Sequence, residues 1–310
     1  MPDILLDGIP VIDLLEITPS TQEVALQIKR DQSSVSRIYR QVSTRLGLNF
    51  AKQPDGQYRA LGDHTLLQDL RRSSQRLRIH QAPEDLRWVG SPWNRAIQTM
   101  TSDRHPPALE RPWFGEQRTL VLLEQHVLDL AVVSVLDLLP TAPLNTATLR
   151  QRQPLALGNL VALPLVQYEL AVTTHPRHPL QQTIDLGPAR FAAYPSLAAN
   201  PADFPHTSSA LRRLGLWRTP HTITRYTWQQ WEGSCSDQRH LVVTHPIGRA
   251  WLQPHLELAP LPYATGIMDA DVILVQADLL AHAAITHLIQ AIQQAYRQHY
   301  RHLTDLRWLL

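Results

Sequence analysis

The stretch STQEVALQIKRDQSSVSRIYRQVSTRLG, residues 20–47, predicts two short helices joined by a tight turn. Ser20 and Glu23 have the S-x-x-E spacing of a capping box, which marks the start of the first helix. The second helix has one apolar face at the 3.6-residue period, formed by Val35, Ile38, Val42 and Leu46. Gly47 then stands where a left-handed residue commonly ends a helix. A further short helix, from Val11 to Leu15, is expected to pack beneath this pair.

The opposite face of the second helix is polar, and its side chains are hydroxyl, amide and guanidinium groups: Gln32, Ser33, Ser34, Ser36, Arg37, Arg40 and Gln41. Such groups contact phosphates and base edges when a recognition helix lies in the major groove of DNA. The chain has 29 basic and 27 acidic residues, so DNA binding has to depend on a local patch. Residues 29–45 contain five basic side chains and one acid, Asp31. The alternative is a solvated polar face on an ordinary bundle helix.

Residues 48–61 predict a β-hairpin, since the turn sequence Pro54-Asp55-Gly56 separates two short segments. Beside a recognition helix, a hairpin acts as a wing whose cations contact phosphates. Lys52 and Arg59, one on each arm, are the predicted wing contacts.

Part of the chain resembles a known DNA-binding motif. The residues Gln32-Ser33-Ser34-Val35-Ser36-Arg37, followed by Ile38, Val42 and Leu46-Gly47, are similar to the helix-turn-helix signature of LysR-type transcriptional regulators. The resemblance implies an α/β protein with an N-terminal winged helix-turn-helix, a linker helix and a C-terminal two-lobed effector-binding domain like the type 2 periplasmic solute-binding proteins. The chain departs from the family pattern at several positions. Arg30 stands at a usually apolar position and Asp31 at that of a small hydroxyl residue, an acidic residue is missing around Ser43, and Ala60-Leu61 replaces the usual Leu-Thr.

The domains expected on this basis are a DNA-binding domain over residues 1–62, a linker helix over 63–84 and an effector-binding domain over 85–310. In the linker, Leu66, Leu70 and Leu77 are separated by four and seven residues, a spacing that favours a partner helix. The resemblance implies that two linker helices pair in a homodimer, or in a homotetramer built from dimers. The alternative is that the leucines pack against their own domain.

After Pro83, short apolar runs alternate with helical segments, which is typical of βαβ units around mainly parallel sheets. The predicted strands are Leu86 to Gly90, Leu128 to Val133, Glu169 to Thr173, Arg190 to Ala193, Thr222 to Tyr226, Leu241 to Thr244 and Asp271 to Val275. The segments 86–91, 128–133, 170–180 and 241–246 are similar to parts of the family's effector-binding domain. The expected lobes are 85–160 with 271–310, and 161–270.

A cleft between two such lobes is the expected ligand site. The candidate effector contacts are Ser91, Trp93, Ser134, Ser196 and Thr244. Ser91 follows a strand and precedes a helix, so its hydroxyl and the free N–H groups of that helix suit an anionic or polar effector. Alternatively, each of these hydroxyls caps a helix or a turn.

Several classes of function are disfavoured by the sequence. It contains no H-E-x-x-H, paired-cysteine, G-x-S-x-G or glycine-rich phosphate motif, so no catalytic residue, metal or cofactor is predicted. The acidic N-terminus is unlike a signal peptide, and the most apolar segment, residues 120–139, contains three acids, so no membrane association and a cytoplasmic location are expected. The lone Cys235 is expected to be packed rather than reactive.

These features predict a sequence-specific DNA-binding transcriptional regulator without enzymatic activity. Its expected partners are double-stranded DNA, a small-molecule effector and a second copy of itself. Arg30 and the near-neutral charge also motivate an alternative, a ligand-sensing or protein-interaction module of the same architecture with weak or lost DNA binding. The third class, an enzyme on a solute-binding scaffold, is disfavoured by the missing catalytic motifs.

Overall fold

The computed structural model describes residues 3–18, 20–54, 56–94, 97, 106–111, 113, 115–149, 151, 153–220 and 226–310. Its helices are α1 (Ile9–Ile17), α2 (Thr21–Gln27), α3 (Gln32–Arg45), α4 (Thr65–Gln81), α5 (Gln117–Glu124), α6 (Thr146–Leu149), α7 (Pro188–Phe191), α8 (Pro205–Arg213), α9 (Pro246–Leu252) and α10 (Ala283–Tyr300). Its strands are β1 (Asn49–Lys52), β2 (Tyr58–Leu61), β3 (Trp88–Val89), β4 (Leu130–Ser134), β5 (Leu155–Leu157), β6 (Leu160–Glu169), β7 (Ala171–Thr174), β8 (Leu197–Ala198), β9 (Thr219–Pro220), β10 (Val242–Thr244), β11 (Ala259–Pro260), β12 (Met268–Gln276) and β13 (Arg307–Trp308). Within the described ranges, no helix is long and apolar enough to cross a membrane.

The N-terminal domain is a winged helix-turn-helix made of α1, α2, α3 and the antiparallel hairpin β1–β2. Ser20 Oγ accepts a hydrogen bond from the Glu23 N–H at 3.3 Å, which confirms the predicted start of α2. The Ser20 N–H donates to the Thr18 carbonyl at 2.7 Å instead of completing the capping box. Gly47 has a φ of 64° and ends α3 in the left-handed conformation, as predicted. The predicted apolar face of α3 is buried through Val35, Ile38 and Val42.

Linker helix α4 has an inner and an outer face. Its inner side chains, Leu67, Arg71, Ser74, Gln75, Arg78 and Ile79, are buried against the rest of the chain. On the outer face, Leu66 is 55% exposed, and Leu70 and Leu77 are half-buried. Packing against the rest of the chain therefore centres on a neighbouring face of the helix and leaves these leucines partly or largely exposed.

The larger sheet of the effector-binding domain has the strand order β13-β6-β12-β4-β3, with β5 beside β6. Among its described strands only β3 and β4 pair in parallel, so the prediction of mainly parallel sheets was wrong for this lobe. Two features account for this difference. The predicted strand β12 runs antiparallel to its neighbour β4, and β6, a strand of 10 residues that was not predicted, pairs antiparallel with β12. Strands β6 and β12 of this sheet run through positions 161 and 270.

The second lobe is built on β7, which β10 and β11 flank as antiparallel neighbours. The prediction of a strand at 190–193 was wrong, because residues 188–191 form α7. Pro188 stands in the first turn of that helix, where proline favours helix initiation. Most of the strand predicted at 222–226 lies outside the described residues. The remaining predicted strands correspond to β3, β4, β7, β10 and β12, with shifted ends.

A buried ion-pair network joins the N-terminal winged helix-turn-helix to the two-lobed part of the chain. Asp13 of α1 pairs with Arg71 of α4 and with Arg87 just before β3, each at 2.7 Å. Glu16 pairs with Arg71 at 2.6 Å and with Arg118 of α5 at 2.7 Å. Asp13, Glu16 and Arg71 are all at most 2% exposed. One apolar cluster also runs from α1, α2 and α3 into α5 and β4, so the two domains share a core.

Candidate DNA-binding surface and effector cleft

Helix α3 presents a polar face to solvent beside the wing. Its exposed side chains include Gln32, Ser33, Arg37, Arg40 and Gln41, whereas Ser34 and Ser36 are half-buried. Gln32 is held by a hydrogen bond of 2.8 Å from its Nε2 to Thr21 Oγ1 of α2. Arg37, Arg40 and Gln41 lie on successive turns of one face, so a groove-bound helix would present all three to DNA.

Asp31 caps the N-terminus of α3 and binds its first hydroxyl groups. Its Oδ1 accepts from the Ser34 N–H at 2.7 Å and from Ser33 Oγ at 2.5 Å, and its Oδ2 accepts from Ser34 Oγ at 2.7 Å. The hydrogen bonds from Ser33 and then Ser34 hold the pKa of this exposed carboxyl well below its ordinary value. A fixed negative charge therefore stands at this helix end, and the hydroxyls of Ser33 and Ser34, both predicted DNA contacts, donate to it.

Three aromatic rings connect the recognition helix to the wing. The Tyr39 centroid lies 6.2 Å from that of Phe50 and 5.9 Å from that of Tyr58, and the Phe50 and Tyr58 rings stack at 5.6 Å. The Arg40 guanidinium lies 5.8 Å from the Tyr39 centroid, and Lys52 Nζ lies 6.0 Å from the Tyr58 centroid. These distances allow cation–π attraction. The same aromatic cluster thus positions Arg40 and Lys52.

The two predicted wing contacts lie on opposite faces of the hairpin. Lys52 pairs with Tyr58 and Arg59 pairs with Ala51, and neighbouring pairs of a strand ladder point to opposite sides. Lys52 is exposed, whereas Arg59 is half-buried and lines a pocket of about 390 Å³ that also contains Glu16 and Arg118. Lys52 is therefore on the face of the recognition helix, and Arg59 faces the effector-binding domain.

The two lobes enclose a cavity of about 80 Å³. Four of the five predicted effector contacts line it: Ser91, Trp93, Ser134 and Thr244. Ser196 does not line it. That residue is fully buried, and its Oγ accepts a hydrogen bond of 3.0 Å from the N–H of Trp217, so it fixes the backbone of a residue whose ring lines the cavity.

Aromatic rings form much of the cavity wall, namely Trp93, Tyr168, Phe204, Trp217 and Trp231. His245 also lines it and stacks on the Tyr168 ring at a centroid distance of 4.8 Å. Burial lowers the pKa of His245 to about 3, so the imidazole is neutral at physiological pH. The wall therefore offers π faces and an uncharged imidazole.

Buried carboxyl groups complete the cavity. Asp269 Oδ2 accepts from Ser134 Oγ at 2.6 Å, while its Oδ1 accepts from two backbone N–H groups at 2.7 and 3.1 Å. Burial raises the pKa of Asp269 to about 7. Behind the Trp93 ring, Glu232 accepts from Trp93 Nε1 at 2.7 Å and from the Tyr226 hydroxyl at 2.8 Å, and burial raises its pKa to about 7 as well.

Asp137 of the first lobe caps helix α8 of the second lobe. Its Oδ1 accepts from the N–H groups of His206 and Thr207 at 2.7 and 3.1 Å. His206 Nε2 also lies 2.8 Å from the Leu139 carbonyl oxygen. Burial raises the pKa of the Asp137 carboxyl. The protein's own carboxylate therefore occupies a helix N-terminus that borders the cleft, a position that suits anions.

No family model matches this sequence, and no curated protein sequence matches it either. Solved structures, in contrast, match its fold over most of the chain. Full-length OxyR from Pseudomonas aeruginosa superposes with a TM-score of 0.54 at 13% identity, covering 96% of this chain and 95% of its own. ArgP from Mycobacterium tuberculosis gives 0.50 at 15% identity, with 95% and 97% covered. OxyR and ArgP are LysR-family transcriptional regulators.

This chain has the LysR-type fold. A probable transcriptional regulator from Pseudomonas aeruginosa supports the same assignment, with a TM-score of 0.51 at 13% identity over 92% of this chain and 95% of its own. Within the LysR-type fold, Arg30 and Asp31, which depart from the family pattern, both form polar contacts. Arg30 pairs with Asp7 at 2.5 Å, and Asp31 caps α3.

The acidic residues of this LysR-type cleft were not predicted from the sequence. Asp269 and Asp271 interrupt the otherwise apolar strand β12, and carboxyl groups within a buried strand are a usable signal of a site. Arg111 and Glu116 gave no such signal in the sequence. Only the structure shows that they line the cavity, where they form an ion pair of 2.5 Å. Among the described residues, no group of acidic, histidine or cysteine side chains could hold a metal ion.

Proposed function

We propose that this protein is a sequence-specific, DNA-binding transcriptional regulator of the LysR type, controlled by a small molecule in its interlobe cleft. The observation that carries the proposal is the exposed face of α3, where Arg37, Arg40 and Gln41 lie beside the wing. Guanidinium and amide groups in this arrangement suit guanine, adenine and phosphate contacts. Lys52 adds a cation on the same aromatic cluster.

A dimer is part of the proposal because one helix-turn-helix contacts a single half-site. The outer face of α4, with Leu66, Leu70 and Leu77, suits pairing with the same helix of a second copy. Further pairing of dimers would give a homotetramer. Two half-sites held at a fixed spacing supply the affinity and specificity that a single winged domain lacks.

Effector control requires the ligand to favour one arrangement of the domains over another. The cleft supports this step, since contacts from both lobes enclose it and Asp137 bridges them. The first lobe is in turn joined to α1 by the Asp13 and Glu16 ion pairs. These buried ion pairs would couple a change in lobe closure to the position of the DNA-binding domain.

The test is DNA binding by the full-length protein, using a labelled fragment from upstream of its own gene, at two or more salt concentrations. The variant is Arg37→Ala with Arg40→Ala. Losing two phosphate or base contacts should weaken binding and reduce the slope of log affinity against log salt by up to about 2. The matched control is Arg212→Ala with Arg213→Ala, two exposed arginines of α8 in the effector-binding domain, which should bind as the unmodified protein does.

A second candidate function is a ligand-sensing or protein-interaction module with weak or lost DNA binding. The observation that favours it is the Asp31 carboxylate at the N-terminus of α3, which repels phosphate where a hydroxyl would donate to it. The same experiment separates the two. Weak binding that is equal in the unmodified protein and in the Arg37→Ala/Arg40→Ala variant would reject the regulator and favour the module.

A further inference from the structure

The wall of the interlobe cavity carries more negative than positive side chains. Glu116, Asp137 and Asp269 line it, and Arg111 is the one basic lining residue that the described part of the chain contributes. The Arg111 guanidinium contacts both Glu116 carboxylate oxygens, at 2.5 and 3.2 Å, so these two charges largely cancel. His245 is neutral. Asp137 and Asp269 therefore leave the wall net acidic.

Two more carboxyl groups lie directly behind the rings of the wall. Glu232 accepts from Trp93 Nε1 at 2.7 Å, and Asp271 accepts from the Tyr168 hydroxyl at 2.7 Å. Both carboxyl groups are 1% exposed. An acceptor at the polar edge of an indole or phenol makes the ring face more negative, which strengthens its attraction for a cation.

The aromatic rings supply the remaining recognition element. Trp93, Trp217 and Trp231 come from three separate parts of the chain and line one cavity with Tyr168 and Phe204. Several π faces around a small volume form the kind of cage that binds quaternary ammonium groups. Carboxylates beside such a cage offset the loss of hydration when a cation enters.

We propose that the ligand of this cleft is a small organic cation, an ammonium compound, whereas Ser91 and its helix suggested an anionic or polar effector in the sequence. The inference rests on the proposed function in taking the cleft as the effector site. An anion would face Asp137 and Asp269, and Asp137 already occupies the N-terminus of α8. A cation meets carboxylates of the first lobe and π faces of both lobes, so it stabilises their closure.

The proposal also predicts that the affinity for the cation depends on pH. The cation binds best when Asp269 is ionised, and the pKa of this group in the empty cleft is about 7. The affinity should therefore rise as the pH increases from about 6 to about 7 and level off above about 8. Glu232 and Asp271, whose pKa values burial raises to about 7 and about 6, would steepen this rise.

The experiment measures direct binding to the full-length protein without DNA, by calorimetry and by quenching of tryptophan fluorescence. The probes are choline and propylammonium, their neutral counterparts 3,3-dimethylbutan-1-ol and propan-1-ol, and propionate as the anion. At least one cation should bind about tenfold or more tightly than its neutral counterpart, since only the charged group is attracted by the π faces and the carboxylates. Equal affinity of cation and neutral counterpart, tighter binding of propionate, or no binding by either cation would overturn the proposal.

Asp269→Asn tests the carboxylate itself, because asparagine keeps the size and can still bond to Ser134 and to the backbone N–H groups. Binding of the favoured cation should weaken about tenfold and its pH dependence should become shallower, since Glu232 and Asp271 still titrate, while Asp278→Asn, at an exposed carboxyl, changes neither. Unchanged cation binding in Asp269→Asn contradicts the proposal. If that variant unfolds, the comparison of cation, neutral and anion on the unmodified protein still decides the question. None of these measurements involves DNA, so their failure is distinguishable from a failure of DNA binding.

Discussion

Replacing Asp13 by asparagine removes the charge that two buried guanidinium groups share. Arg71 and Arg87 each contact this carboxylate at 2.7 Å, and Asp13 itself is fully buried. Arg71 keeps Glu16 at 2.6 Å, but Arg87 loses its one carboxylate ion-pair partner among the described residues. Burial, followed by the charge of Arg78, already lowers the pKa of Arg87 to about 10. Removing one partner of a buried pair costs about 3–5 kcal/mol, and the surviving contact of Arg71 places the expected loss near 3 kcal/mol.

The measurement is urea denaturation of the full-length protein, followed by tryptophan fluorescence. The matched control is Asp7→Asn, which breaks the Asp7–Arg30 pair at the other end of the same helical region. Because Arg30 is 47% exposed, that pair should contribute less than about 1 kcal/mol. If Asp13→Asn lowers the free energy of unfolding no more than Asp7→Asn does, the inferred contribution of the buried network is refuted.

Asp31→Ser removes the negative charge at the N-terminus of α3 and keeps a hydroxyl cap, so DNA affinity should rise several-fold in a salt titration; unchanged affinity would mean that Asp31 does not approach phosphate. Leu66→Lys with Leu70→Lys should shift the protein toward monomer in sedimentation velocity, while the exposed control Gln68→Lys should not. If the double variant remains a dimer, this face of α4 is not the dimer interface. The pKa of Glu232 is raised from 4.5 to about 7 in the folded protein, so its contribution to stability declines as the pH rises from about 5 to about 7. Glu232→Gln should remove that decline in urea denaturation at several pH values, and identical slopes in both proteins would contradict it.

The N-terminal domain could be predicted from the sequence because its signals are local. The period of α3, the Ser20 cap and Gly47 each act within a few residues, and the structure has all three. Strand β6 escaped prediction because Pro164 lies within it, and proline argues against a central strand. The structure accommodates this proline at a bulge, where Asp271 pairs with Val166 and Val272 with Pro164.

The cleft could be predicted only in part. Ser91, Ser134 and Thr244 follow from the rule that polar residues at strand ends meet at the edge of a sheet, and they line one cavity. The place of Asp137 in the cleft could not be predicted, because its carboxylate meets the N–H of His206 across 69 residues and no short-range pattern encodes that contact. The prediction that Cys235 is packed is confirmed, since it is fully buried and burial raises the pKa of its thiol to about 12.

The buried network between α1 and the effector-binding domain determines how this protein can be divided for experiments. A truncated protein that begins at Leu86, just before β3, would retain Arg87 and Arg118 but lose Asp13 and Glu16, the carboxylates that pair with them. It would also uncover apolar surface where the N-terminal helices now pack. Such a fragment would carry unpaired charge beside exposed hydrocarbon, a combination that promotes aggregation. Ligand binding at the interlobe cavity should therefore be measured on a protein that includes the N-terminal helices.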